Sequence, residues 1–236
     1  MAFSFPQLRS TDQGGGQICN AADQQRINGL PVPAFWLGHF LSAFAIQMVE
    51  SAIIVCFMFF KRSNSPMESA FYRHVDASFA SLVLFVMIVF NTGHVLLAMV
   101  IATVCKNGNR AVSGGLFFGF CIPMYGISDS EASLSGLLFT ERWKKLVGAI
   151  SPQLGLTTLL RTLAIFDDYK GGGGWGIIFK RALDLDSVTV FEMLVVMIVT
   201  CAVELFLLFY FSNVLPWATD YPKSPLFCLM STITVD

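Results

Sequence analysis

From Val188 to Phe211 the chain runs 24 residues with only Glu192 and Glu204 charged. As a helix this run rises about 36 Å, more than a hydrocarbon core of about 30 Å. Tyr210, Trp217 and Tyr221 follow near its end, where aromatic rings favour the headgroup level. The rest of the composition agrees. The chain of 236 residues is 55% apolar and 13% charged, whereas soluble domains average about 45–50% and about 25%. A lipid-facing surface calls for that deficit of charge. A net charge of −1 speaks against a nucleic-acid partner, which requires a basic face. The expected fold is all-α: an integral, multi-pass membrane protein whose partner is the lipid bilayer.

Residues 1–28 are polar and contain Gly14-Gly15-Gly16, the pattern of a disordered tail. A first spanning helix is expected over 34–60, where only His39 and Glu50 titrate. Eleven steps of about 100° bring these two within about 20° of each other. Ser42, Gln47 and Ser51 fall on the same side, which predicts one broad polar stripe facing protein or a cavity. A second helix is expected over 78–105, with Asn91, Thr92 and His94 in its middle and Ala98 and Ala102 as a small-residue pair. A third, over 111–127, contains Pro123 and is near the lower length limit; its Gly115-x-x-x-Gly119 suits helix packing.

The stretch from 128 to 187 is looser. Its apolar part, Leu146 to Phe166, carries Pro152 and Arg161 and makes a poor full crossing. A partly inserted, re-entrant helical hairpin over about 136–166 fits better, since irregular backbone at depth is tolerated when protein covers it. Gly171 to Gly174 lacks the Lys-Ser/Thr of a phosphate loop and reads as a turn. The last helix covers 188–213. The sum is four spanning helices plus the hairpin.

No H-E-x-x-H, G-x-S-x-G or Walker-type sequence is present, and the histidines (39, 74, 94) are far apart. No enzyme chemistry and no metal or cofactor site is expected within this chain. The six cysteines form no C-x-x-C pair and read as buried free thiols. The informative groups are ionisable residues inside apolar runs, because a charge at mid-depth costs a few kcal/mol. Glu192 stands near a helix start, where negative charge is favoured. His94 needs a partner. Glu50 and Glu204 are either buried hydrogen-bonding groups or cavity-lining ones.

The order of elements resembles the A subfamily of ABC transporters. Gly29-Leu30 ahead of Trp36-Leu37-Gly38-His39-Phe40 is similar to the start of that family's third membrane helix, and Gly114-Gly115-Leu116 to its fourth-to-fifth junction. Pro152, the glycine run and Asp186-Ser187-Val188 follow in the same order. So does the exit, Asn213-Val214-Leu215-Pro216 and Tyr221-Pro222-Lys223-Ser224-Pro225-Leu226-Phe227. The resemblance covers about residues 29–228. Asp220 stands where the family usually has Gly, and the last nine residues depart from it.

The resemblance implies a fragment: residues 29–216 as the last four helices of one transporter half, and 217–236 as the exit toward a nucleotide-binding domain. Asn213, Pro216, Pro222 and Pro225 would form that connector. The partners implied are a second transporter half, nucleotide-binding domains carrying ATP and Mg, and a lipid or other hydrophobic substrate. A stand-alone four-helix scaffold or channel-like protein is the alternative. A membrane-embedded transferase would need a cytoplasmic His/Asp or Cys cluster, and the sequence has none. Ten of the fifteen Lys/Arg lie in 61–77 and 128–187, which would make those loops cytoplasmic. The family instead implies a cytoplasmic N-terminus and an extracellular hairpin, and that orientation is adopted.

Overall fold

Three runs lack interior helix breakers and are apolar on nearly every face, so each closes its backbone hydrogen bonds within itself. In the computed structural model, which describes residues 32–59, 77–105, 108–121, 142–170, 174–181, 188–215 and 224, these runs form the three longest helices. They are α1 (Val32–Phe59), α2 (Ala77–Val104) and α6 (Val190–Val214). All three are long and apolar enough to cross a membrane. Between α2 and α6 come α3 (Gly108–Leu116), continued by a π-helical turn (Phe117–Cys121), then α4 (Arg142–Gly148) and α5 (Pro152–Lys170). A 3₁₀ turn, Gly174–Ile177, precedes α6. No strand occurs among the described residues.

α2 is the hub, packing against α1, α3, α5, α6 and the 3₁₀ turn. Along its contact with α6, Phe79, Leu82, Val86, Val89, Gly93, Leu96, Val100 and Thr103 repeat at steps of three and four. Val190, Leu194, Met197, Cys201, Glu204, Leu208 and Ser212 of α6 do the same. Such a repeat keeps one seam facing its partner at a shallow crossing angle. The two helices run in the same direction, because Phe79 and Val190 share one buried cluster while Val100 and Leu208 share another. α1 runs the opposite way along α2: Ser51 meets Asn91, and Trp36 and Phe40 pack beside the cluster of Val95 to Val100. The outward faces stay apolar, with Phe57 71% exposed on α1 and Phe209 56% exposed on α6.

α4 and α5 double back at Ala149–Ser151. The Ala149 amide donates to Lys145 O at 3.0 Å and closes α4, and the Gly155 amide donates to Ser151 O at 2.9 Å and opens α5. Pro152 stands at the first position of α5, where a helix needs no amide donor. The corner lies beside Gly93, about halfway along α2, and Phe166 near the far end of α5 joins the cluster around Phe79. α5 runs on through Asp167 to Lys170, four residues past the expected end of the hairpin. The expected start, 136–141, lies outside the described residues. Of the expected third span, Gly108–Leu116 and Phe117–Cys121 are helical and 122–127 lies outside. Among the described residues nothing lies within 4 Å of a Cβ placed at Gly115, whereas a Cβ at Gly119 would lie 3.9 Å from Gln153 Nε2 and one at Gly114 3.1 Å from Ile101 Cγ2.

The glycine run ends at Gly174, whose φ of +50° is a left-handed conformation. A Cβ there would overlap the Ser78 hydroxyl. Gly174→Ala is therefore expected to destabilise the chain by about 1–3 kcal/mol, read as a lowered midpoint of unfolding in sodium dodecyl sulfate against the unchanged chain.

Candidate functional site

Asn91-Thr92-Gly93-His94 interrupts the apolar surface of α2 between its two buried clusters. Four consecutive residues face four directions on a helix, at about 100° per step. The segment therefore addresses several neighbours at one level.

Asn91 faces α1 and is buried. Its Nδ2 donates to Ser51 Oγ at 2.9 Å and to Gln47 O at 3.4 Å, and Ser51 Oγ lies 3.2 Å from Asn91 Oδ1, to which it donates. Thr92 returns its hydroxyl to Ile88 O at 2.9 Å, which leaves no unsatisfied donor. His94 faces the corner between α4 and α5. Gln153 Nε2 is 2.8 Å from His94 Nδ1, and Ser151 Oγ donates to Gln153 Oε1 at 3.1 Å. An amide nitrogen only donates, so Nδ1 is the acceptor and Nε2 carries the ring proton. Phe90 stacks on the imidazole at 5.6 Å between centroids.

Gly93 faces α6 and lets it approach. A Cβ at Gly93 would lie 3.2 Å from Cys201 Sγ, 3.4 Å from Pro152 Cγ and 3.7 Å from Glu204 Oε2. Three elements thus meet at one backbone atom. Beside it a cleft of about 10 Å³, lined by Val89, Gly93, Pro152, Thr200 and Cys201 among others, has room for about one water. Glu204 is 5% exposed, and its Oε2 has no hydrogen-bond partner among the described residues.

The expected candidates therefore part company. His94 and Glu204 come to the same level, on the two sides of Gly93. Glu50 is half-buried on α1, with no partner among the described residues. The single polar stripe expected on α1 divides: Gln47 and Ser51 turn toward α2, whereas His39 and Ser42 are exposed. From Ser42 to Ser51 the stripe spreads over about 180° of the wheel, wider than the contact one neighbouring helix can cover. Cys56 is exposed, against the expectation of buried thiols; Cys105 and Cys201 are partly buried. Glu192 closes a capping box with Thr189 and accepts from Arg142 Nη2 at 2.8 Å. Asn213 is part of α6 and donates to Phe209 O at 2.8 Å. Pro216, Pro222, Pro225 and His74 lie outside the described residues. No group of three or more metal-ligating side chains occurs among the described residues.

Gln153 and Gly93 are the participants that sequence reasoning passed over. A glutamine one residue after a helix-starting proline carries no distinctive signal. The glycine stands out only against the three-and-four repeat of buried residues along α2. Models of known protein families give no match to this chain, and neither do the curated proteins.

Ser51→Ala, Asn91→Ala and the double variant form a thermodynamic cycle. A coupling energy of about 0.6–1.7 kcal/mol is expected, measured by unfolding in mixed micelles; a value of zero would mean that Asn91 does not tie α1 to α2.

Proposed function

We propose that this chain is the membrane-embedded portion of an ATP-driven transporter resembling the A subfamily of ABC transporters, moving a lipid or other hydrophobic substrate. α1, α2, the helix beginning at α3, and α6 cross the bilayer in this reading. α4 and α5 are the re-entrant hairpin. The observation that supports it is the corner beside Gly93: a helical pair enters from the end where α2 and α6 begin, turns halfway along them and goes back. Together with the order of sequence motifs from Gly29 to Phe227, that is the arrangement the resemblance implies.

The chemistry divides accordingly. Asn91 and His94 are structural ties, since each hydrogen-bonds a neighbouring element. Glu204 keeps an oxygen with no partner among the described residues at the same level, so it is an acceptor open to a polar group on the substrate path. ATP and Mg belong to a separate nucleotide-binding domain, because the 236 residues contain no Walker-type sequence. Asn213, Pro216, Pro222 and Pro225 carry motion between the two, and the second transporter half completes the pathway.

Two measurements test the reading. With the six native cysteines changed to alanine, Ile150→Cys at the corner is expected to resist a membrane-impermeant thiol reagent in sealed vesicles. Trp143→Cys, at the hairpin's open end, is expected to react from one side. Ile150 is 56% exposed on the protein surface, so its protection would come from lipid; labelling of both positions alike would rule out the re-entrant hairpin. The purified chain is also expected to show no saturable binding of a fluorescent ATP analogue. Saturable binding would overturn the assignment of ATP to another domain.

A further inference from the structure

The end of the bundle where α2 and α6 begin carries a surface that transport through the bundle does not use. α2 rises about 42 Å over its 28 residues, about 12 Å more than a hydrocarbon core of about 30 Å. Shared between both ends, that excess places about four residues at each end of α2 at headgroup level. Trp175 sits there: its ring nitrogen donates to Ser81 Oγ at 2.9 Å and its amide to Ser78 Oγ at 3.4 Å. Phe179 packs on Phe191 in the first turn of α6, with centroids 4.9 Å apart, and is 73% exposed. Trp143, 59% exposed, opens α4 beside Arg142, which reaches Glu192 in that same first turn.

Exposed cations stand among these rings. Lys144 Nζ lies 5.8 Å from the Trp143 ring centroid, and Lys180 follows Phe179 directly. Two carboxylates at this end are committed elsewhere or withdrawn: Glu192 to Thr189 and Arg142, and Asp167 fully buried. Amphipathic rings with ammonium groups beside them match the boundary between acyl chains and phosphates.

We propose that this end of the bundle is a phospholipid-binding surface, with Lys144 and Lys180 receiving the lipid phosphate, Trp143 beside Lys144 at headgroup level, and Trp175, Phe179 and Phe191 holding the glycerol and upper acyl region. The inference rests on the membrane reading above but not on ATP coupling or transport.

Native mass spectrometry of the purified full chain in detergent tests it, with dioleoylphosphatidylglycerol, phosphate-free dioleoylglycerol and inorganic phosphate as probes. Phosphatidylglycerol adducts are expected to survive at detergent conditions that strip dioleoylglycerol. Lys144→Gln with Lys180→Gln is expected to weaken phosphatidylglycerol binding about fivefold per lysine, and Lys144→Arg with Lys180→Arg to retain it. Equal retention of the phosphate-free lipid, or full retention by the double glutamine variant, would overturn the proposal. Displacement of the lipid by millimolar inorganic phosphate would overturn it in favour of a free-anion site. Alkaline carbonate extraction of the chain from membranes separates the two levels: release into the aqueous phase sinks the membrane reading itself, whereas a membrane-retained chain without phosphate selectivity sinks only the lipid surface.

Discussion

A polar group placed halfway along an apolar helix must find protein partners, because burying it unpaired costs more than any one packing contact returns. α2 carries such groups at Asn91, Thr92 and His94, and the arrangement of its neighbours follows from how they are satisfied. Asn91 holds α1, and His94 holds the corner of α4 and α5 through Gln153. In the bilayer proposed above, lipid would give helices no hydrophobic reason to associate, and hydrogen bonds and close backbone approach would decide which ones pack. Remove this layer and the two flanking apolar clusters have nothing to set their register.

Gly93 supplies the close approach. Cys201, Pro152 and Glu204 converge on the space a side chain would occupy, which brings α6 and the helical corner to the same point of α2. Hydrogen bonding on two sides of the segment and close approach at its glycine make four residues the meeting point of four elements. Glu204 is the exception within that order. It is buried like a structural group but lacks a structural group's partner among the described residues, which is why the proposed substrate path runs past it.

Several features could be read directly from the sequence, for reasons local to the chain. The three long helices follow from uninterrupted apolar runs, and their ends agree with expectation within about two residues, the usual uncertainty of helix boundaries. The role of Glu192 follows from its place three residues after Thr189, a spacing at which the capping box closes within one turn. The start of α5 at Pro152 is local too, since a proline fits the first turn of a helix and not its interior. Other expectations failed because they depended on which neighbour lies opposite. The wheel of α1 groups His39 with Glu50 and Ser51, yet only its Gln47–Ser51 side meets α2. Gly115 belongs to the Gly-x-x-x-Gly pattern and Gly114 does not, yet among the described residues it is Gly114 that has Ile101 against it.

What the sequence determined by itself is the helical class and the positions of the long helices, because backbone hydrogen bonding and apolar length act within one segment. It also marked Asn91, His94 and Glu204 as groups in need of partners. Which partners they meet was decided by tertiary structure: Ser51 lies 40 residues from Asn91 and Gln153 lies 59 from His94. Pairings across such distances depend on crossing angle, register and the space left at one glycine, and none of these is a property of a single helix.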